Sequence, residues 1–375
     1  LAPLAPCAIA EDTPPPPQVK GKLALSGAAS CEDGGYLLSA TLNEAISLQT
    51  KDGAWLELAP EGESDGLLLR FEATGRVRWA LRARGSLAEE GRDLRALVGG
   101  GVVWAGRLTR DLTLERFASG SARAQLVKTL TPAQPKGEVG ERSWVVRLSR
   151  TGQLESHAIL GHFDLTGIER APSGFVALGR GPRLTLPGRR KRRVPQGVVA
   201  TLDEGLESVW ASPPCSAASG VSRATVCSGS IVVCGSFMGE GRFSGPLGRV
   251  SPAYKTRENM NGAPSDLDPF LASFDARTGE LRWSAQLEGG GGGQFSLRAF
   301  GDRLYFATHT DSTLTYRRGR RSLSTFELPA GGWCLLSVDA HGRDPQWEYV
   351  PPPDGLWSGL RLLGPKRVLF YGAVK

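Results

Sequence analysis

The sequence has little that would point to a membrane-spanning protein, a fibrous protein or a metal site. Its 375 residues contain no apolar run of about 18 residues, so no membrane-spanning helix is expected. Glycine is abundant, at 49 residues, but the absence of a periodic Gly-X-Y run excludes collagen. The six cysteines form no Cys-x-x-Cys pair, and the four histidines lack zinc-binding spacing. We therefore predict neither a metal nor a cofactor.

A glycine- or aspartate-containing turn followed by a short apolar strand recurs along the chain. Six such strands begin at residues 36, 102, 175, 231, 304 and 368, in steps of 66, 73, 56, 73 and 64 residues. All-strand repeats of this length are typical of β-propellers. Most repeats also contain a second hairpin, as at 67–79 and 270–283, so that four strands make one blade. We predict an all-β fold, a β-propeller of four-stranded blades over residues 23–375.

The repeat count is compatible with six or seven blades. The sequence ends within a blade, which leaves two interpretations open. Either residues 22–30 supply a closing strand, or the propeller is incomplete at the C-terminus. Closure matters because an open blade exposes an unpaired strand edge.

The N-terminal residues predict export. Residues 1–10 are apolar and end in Ala8-Ile9-Ala10, the small-residue pattern that signal peptidase requires, so we interpret them as the tail of a secretory signal. An ordinary N-terminus is the alternative. Residues 11–22 contain four consecutive prolines and predict an extended linker. The expected location is therefore extracytoplasmic, meaning periplasmic, cell-surface or secreted.

The predicted export affects whether the cysteines are expected to form disulfides. In an oxidising compartment one or two disulfides are expected, and Cys215 with Cys227 or Cys234 is the nearest pairing along the chain. Buried free thiols are the alternative. Lipidation of Cys7 is left open, although Pro6 directly before it is unfavourable.

Four tryptophans close the second hairpins of their repeats, namely Trp79, Trp210, Trp283 and Trp347. We expect them to pack between neighbouring blades rather than to stack on a ligand.

The segment from Phe274-Asp275-Ala276-Arg277-Thr278-Gly279 to Glu280-Leu281-Arg282-Trp283 resembles the repeat of pyrroloquinoline-quinone-type propellers, the quinoprotein-like superfamily. The weaker repeats resemble propeller repeats of secreted bacterial proteins. This resemblance implies the fold but no activity, because the matching motifs are structural.

The resemblance also sets out what an active quinone-dependent enzyme of this superfamily would need. Such members use a calcium-binding carboxylate cluster, a catalytic aspartate and often a disulfide of adjacent cysteines. This sequence has no Cys-Cys pair, and its carboxylates do not match the cluster.

Long insertions separate the second and third strands of several repeats, at roughly 107–143, 180–196, 236–267 and 309–332. In a propeller these loops lie on one face, where insertions commonly build a binding surface. Two of the insertions carry dense positive charge, in residues Arg189, Arg190, Lys191, Arg192, Arg193, Arg317, Arg318, Arg320 and Arg321. Nine cations on one face would suit a polyanion, through charge neutralisation and bidentate arginine contacts. Solvated hairpin tips in a chain of net charge +7 are the alternative.

Other candidate sites are weaker. His309 and Asp311 are two residues apart and can face one way along a strand, whereas His157 and His162 fall on opposite faces. Asp65, Asp266 and Asp268 precede third strands, where calcium binding competes with ordinary turn capping. The run Gly289–Gly293 lacks the Lys-Ser/Thr of a phosphate-binding loop.

The favoured function is an exported, non-enzymatic binding or scaffold module for a protein or an acidic polymer such as a polysaccharide. Nucleic acid is disfavoured, because no recognised nucleic-acid module is present. The alternatives are a quinone-dependent or hydrolytic propeller enzyme and a structural repeat segment of a larger surface protein. Oligomeric state is not predicted.

Overall fold

The structure is a computed structural model, and it describes residues 19–371 apart from several internal segments. The segments outside the description are 86, 109–110, 119–123, 132–141, 161–163, 181–182, 185–191, 194–196, 213, 216–217, 247–250, 257–266, 290–294, 311–312, 320, 328–331, 351–358 and 365–366. The predicted signal tail and most of the linker precede residue 19 and lie outside it. No helix that could span a membrane occurs in the described part of the chain.

The chain divides into two compact units, Leu1–Leu165 and Thr166–Lys375. The strands up to the boundary are β1 (Val19–Lys20), β2 (Ala24–Ser30), β3 (Tyr36–Leu42), β4 (Ile46–Gln49), β5 (Trp55–Leu58), β6 (Asp65–Phe71), β7 (Val77–Arg84), β8 (Glu90–Ala96), β9 (Val102–Leu108), β10 (Leu112–Ala118), β11 (Gln125–Leu130), β12 (Arg142–Leu148), β13 (Leu154–Ile159) and β14 (Asp164–Ala171), which begins at the boundary and continues into the second unit.

The second unit continues with strands that follow the same plan. They are β15 (Gly174–Arg180), β16 (Arg183–Leu184), β17 (Arg192–Arg193), β18 (Gly197–Leu202), β19 (Ser208–Ser212), β20 (Ala218–Cys227), β21 (Ser230–Met238), β22 (Glu240–Gly241), β23 (Tyr254–Lys255), β24 (Asp268–Asp275), β25 (Leu281–Glu288), β26 (Phe295–Phe300), β27 (Arg303–Thr310), β28 (Leu314–Arg318), β29 (Arg321–Phe326), β30 (Gly332–Asp339), β31 (Gln346–Val350), β32 (Gly359–Gly364) and β33 (Arg367–Tyr371).

The sheets confirm the predicted blades. Four consecutive strands of each repeat, leaving out the insertions, pair antiparallel in the orders β2-β3-β6-β7, β8-β9-β12-β13, β14-β15-β18-β19, β20-β21-β24-β25 and β26-β27-β30-β31. The last described hairpin, β32–β33, is the beginning of a further repeat. The second strands of all six repeats coincide with the predicted apolar strands. The fold is therefore all-β, with four-stranded propeller blades, and the total number of blades stays a prediction.

Two insertions extend the blade that precedes their own. The hairpin β10–β11 lies between β9 and β12 in the chain, yet β10 pairs with β7, the outer strand of the preceding blade. In the same way β28–β29 lies between β27 and β30, and β28 pairs with β25. Both additions turn a four-stranded blade into a six-stranded sheet. An outer edge strand with unpaired backbone groups is thereby covered.

Three of the four tryptophans pack onto the turn of the next blade, as predicted. The indole Nε1 of Trp79 donates to the carbonyl oxygen of Arg150 (3.0 Å), that of Trp210 to Ala276 (3.3 Å) and that of Trp283 to Ala340 (3.0 Å). Each ring lies against a turn glycine of positive φ, at Gly152, Gly279 and Gly342 respectively. The fourth, Trp347, stacks on Phe326 of an inserted hairpin instead and donates to Ser324 Oγ at 3.0 Å.

Four of the five cysteines in the described part of the chain are buried, and Cys31 is partly buried. The five cysteines that the structure describes form no disulfide bond. Cys227, Cys234 and Cys334 share one apolar cluster of the second unit with Trp283 and Tyr316, whereas Cys215 lies in a different cluster. The expected pairing of Cys215 with Cys227 or Cys234 is therefore wrong for this structure. Apolar burial raises the pKa of the Cys234 and Cys334 thiols to about 12.

Candidate polyanion-binding face

The basic insertions are partly described, and both belong to the second unit. In the first insertion the structure describes the backbone of Arg192 and Arg193, which form β17 and pair with Arg183–Leu184 of β16. Residues Arg189, Arg190 and Lys191 lie outside the described residues, as does Arg320 of the second insertion. The contacts of the basic face can therefore be described for Arg317, Arg318 and Arg321.

Two tyrosines hold the β28–β29 hairpin in place. Tyr316 is fully buried, and its hydroxyl donates to the carbonyl oxygen of Gly342 (3.0 Å). Tyr254 donates to the carbonyl oxygen of Ser284 (2.8 Å) and accepts the backbone N–H of Gly319 in the hairpin turn (2.8 Å). Burial raises the pKa of Tyr316, so the phenol remains a neutral donor. The turn that carries the arginines is thus fixed on a buried base.

The three described arginines of this hairpin have different surroundings. Arg317 forms an ion pair with Glu288 of β25, with Nε 2.7 Å from Oε2. The guanidinium of Arg318 lies 5.9 Å from the ring centroid of Trp283, within cation–π range. Arg321 is exposed at the start of β29. One of the three charges is therefore already balanced by a carboxylate, which the sequence pattern did not reveal.

The corresponding position of the first unit carries a denser charge cluster that the sequence analysis missed. Arg82 of β7 donates to Glu115 Oε2 from Nε (3.2 Å) and Nη2 (2.5 Å), and from Nη2 also to Glu61 Oε1 (2.9 Å). Arg84 forms ion pairs with Glu61 (2.7 Å) and Glu115 (2.8 Å). Asp65 is fully buried beside them. The available signal was the occurrence of three arginines, Arg78, Arg82 and Arg84, in an otherwise apolar strand.

Asp65 has an unusual environment within this cluster. Its Oδ2 accepts the backbone N–H of Glu61 at 3.0 Å and lies 3.9 Å from Arg82 Nη1, but its Oδ1 is buried and has no hydrogen-bond partner among the described residues. Burial raises the pKa of this carboxyl from 3.8 to about 6, against the opposing effects of the Glu61 N–H and of Arg82.

The remaining candidates do not assemble into a catalytic or metal centre within the described residues. His309 packs edge-on against Trp333 at 5.6 Å, and its suggested partner Asp311 is outside the description, as are His162, Asp266 and residues 290–293 of the glycine run. Asp268 accepts from Gln286 Nε2 (2.6 Å) and from the Gly289 N–H (3.1 Å). No group of three or more His, Cys, Asp and Glu side chains suited to a metal occurs in the described part.

The sequence was interpreted as having no Gly-x-Ser-x-Gly elbow of the kind that carries a hydrolase nucleophile, but the segment Gly62-Glu63-Ser64-Asp65-Gly66 does match that pattern. In such an elbow the serine follows a strand and precedes a helix. Here Ser64 is buried, its carbonyl oxygen accepts the N–H of Glu89, and strand β6 follows at Asp65. The pattern therefore lacks the geometry of an elbow.

Comparisons with known proteins add little about function. No protein-family model and no curated protein matches the chain. Among solved structures it is similar to virginiamycin B lyase from Staphylococcus aureus, at 10% identity over 87% of this chain and 95% of that one, with a TM-score of 0.33. It is also similar to quinohemoprotein alcohol dehydrogenase from Comamonas testosteroni, at 10% identity over 92% and 77%, with a TM-score of 0.33. A europium-containing methanol dehydrogenase matches at 10% identity over 70% and 71%, with a TM-score of 0.24. These likenesses are too distant to bear on activity, and the fold assignment rests on the chain's own sheets.

Proposed function

We propose that the chain is an exported, non-enzymatic propeller module that binds a protein or an acidic polymer through the basic insertions of its second unit. The observation that carries the proposal is the β28–β29 hairpin, which extends a blade and presents Arg318 and Arg321 from a turn fixed by Tyr254 and Tyr316. Preorganised guanidinium groups lose little freedom on binding, and they suit phosphate, sulfate and carboxylate groups.

The electrostatics favour a polyanion over a single small anion. Arginine side chains spread along a hairpin neutralise several charges of a polymer at once, and the released counterions make such binding strongly dependent on salt. Arg317 contributes less than its neighbours, because Glu288 already balances its charge.

Retention on immobilised heparin across a salt gradient tests the proposal. We would compare the native chain with a variant in which Arg317, Arg318, Arg320 and Arg321 become serine, and with a variant in which residues 189–193 become serine. The control for the four-serine variant replaces four exposed cations elsewhere, Lys22, Lys51, Lys128 and Arg223, and so removes the same net charge. Replacing the exposed Arg277 as well gives a control that matches the five charges removed at 189–193. Circular dichroism verifies that each variant folds.

Elution of the basic-hairpin variants at clearly lower salt than the control supports a polyanion site. Equal elution of hairpin variant and control means that retention follows net charge alone, and the proposed face is then wrong.

A further inference from the structure

Three arginines and one aspartate of the first unit converge where its first hairpin turns. Asp33 lies between β2 and β3, and its Oδ1 pairs with Arg70 of β6. Its Oδ2 lies 3.1 Å from Arg150 Nη2 and 3.6 Å from Arg78 Nη1. Three guanidinium groups therefore share a single carboxylate. The preceding residue, Glu32, accepts the backbone N–H of Gly99 at 3.4 Å.

Arg70 is the structural member of this group. Its side chain is fully buried, and Nη1 donates to the carbonyl oxygens of Phe71 (2.9 Å) and Tyr36 (3.4 Å). The hydrogen bond from Arg70, reinforced by Arg150, holds the pKa of Asp33 at about 2. Asp33 is thus ionised near neutral pH and fixed in place. Its negative charge balances one of the three guanidinium charges around it.

Arg150 is held in position by the packing between blades. Its carbonyl oxygen accepts the indole N–H of Trp79 at 3.0 Å, and the methylene stem of its side chain passes close to Gly100, where an added Cβ would lie 3.0 Å from Cγ. The Arg150 side chain is half-exposed, at 51%.

Arg78 is aimed at the same place by a β-bulge. The register of β6 and β7 shifts between Arg70↔Trp79 and Phe71↔Val77, which leaves Arg78 without a partner residue on β6. Bulges of this kind redirect a side chain. Apart from the 3.6 Å approach to Asp33, the guanidinium makes no hydrogen bond to any described residue, and the Arg78 side chain is 35% exposed.

We propose that Arg78 and Arg150 form a site for a dianionic tetrahedral oxyanion, phosphate or sulfate, with Asp33 and Arg70 as its positioning residues. Two neighbouring guanidiniums with open donors can share the oxygens of such a group through charge-assisted hydrogen bonds. The excess of positive charge at the cluster, which one carboxylate does not balance, is compensated by a dianion. The site lies in the first unit and goes beyond the polyanion face of the second.

Equilibrium dialysis of the full chain against radiolabelled inorganic phosphate, at constant ionic strength set with chloride, tests this site. We expect saturable binding that Arg78→Gln or Arg150→Gln weakens about tenfold or more, since each removes charged hydrogen bonds. Arg150→Lys keeps the charge but loses the planar fork, and we expect an intermediate loss. Competition by unlabelled sulfate and by acetate identifies the class of anion, with sulfate competing and acetate failing to compete.

The matched control is Arg282→Gln. Arg282 occupies the same bulge position on β25, but its guanidinium already donates to Ser230 Oγ (2.6 Å) and Asp275 Oδ2 (2.7 Å), so phosphate binding should not change. The four-serine variant of the basic hairpin should also bind normally, which separates this site from the proposed polyanion face. Absence of saturable binding, an unchanged Arg78→Gln variant or an equal loss in Arg282→Gln overturns the proposal.

Discussion

Arg317 and Glu288 form an ion pair that repeats an arrangement of the first unit with the charges exchanged. Glu288 of β25 faces Thr315, and Arg317 lies two residues further along β28, opposite Gln286. In the first unit Arg84 faces Thr113, and Glu115 lies opposite Arg82. The ion pairs are therefore Glu288–Arg317 (2.7 Å) and Arg84–Glu115 (2.8 Å). Both join an inserted hairpin to the outer strand of the preceding blade.

Glu288→Gln should release Arg317 and strengthen heparin retention, if the basic face binds polyanions. The pair is partly exposed, so the loss of folding stability should be at most about 1 kcal/mol. The measurement is the salt concentration of elution, with Glu155→Gln as the control. Glu155 pairs with Arg147 at 3.0 Å in the first unit, and its removal changes net charge equally. Equal gains in the two variants would contradict a special role for Arg317.

Gly279→Ala should destabilise the chain more than Gly229→Ala. The two glycines have nearly the same φ, 72° and 71°, so both substitutions carry the left-handed strain of about 1–2 kcal/mol. A Cβ at Gly279 would also lie 2.6 Å from the Trp210 ring and 2.7 Å from Pro246, whereas nothing lies within 4 Å at Gly229. We expect an additional loss of about 1–3 kcal/mol for Gly279→Ala, measured by denaturant unfolding. Equal losses would mean that the tryptophan contact is not tight.

Asp65→Asn should stabilise the protein at pH 8 and have little effect near pH 3. The folded-state pKa of Asp65 is raised from 3.8 to about 6, so the folded chain binds a proton more tightly than the unfolded chain. The wild-type free energy of unfolding therefore falls as pH rises from about 4 to 6, by an amount on the order of 3 kcal/mol. Asparagine is neutral at every pH, and its Oδ1 can still accept the Glu61 N–H.

Chemical denaturation of both proteins between pH 3 and pH 8 measures this difference. Parallel stability curves for wild type and Asp65→Asn would show that Asp65 does not titrate in the folded state as expected.

Cys234 and Cys334 should resist a thiol reagent in the folded protein, and Cys31 should react first among the described cysteines. Burial raises the pKa of the former pair to about 12, which leaves almost no thiolate, whereas Cys31 is partly exposed. Peptide mapping after brief alkylation, with and without denaturant, provides the test. Rapid labelling of Cys334 without denaturant would show that its blade opens readily.

The strands and their grouping into blades could be predicted from the sequence. Period-two alternation and glycine-bearing turns are local signals, so the hairpins at 67–79 and 270–283 could be predicted from neighbouring residues. The packing of Trp79, Trp210 and Trp283 between blades followed from their repeated position. The cysteine pairing could not be predicted in this way, because nearness along the chain does not place Cys215 in the cluster that holds Cys227 and Cys234.

The positions of the inserted hairpins, and the charged side chains that they contact, could be found only from the assembled blades. An inserted hairpin can pair with any strand that has free backbone donors and acceptors, and only the assembled blades show that β7 and β25 are those strands. Ion pairs such as Arg82–Glu115 join residues 33 apart in the chain, and Asp33 and Arg150 are separated by 117. Such contacts depend on the stacking of blades, which no local pattern encodes. For that reason the sequence pointed to the basic loops, and only the structure revealed the arginines around Asp33.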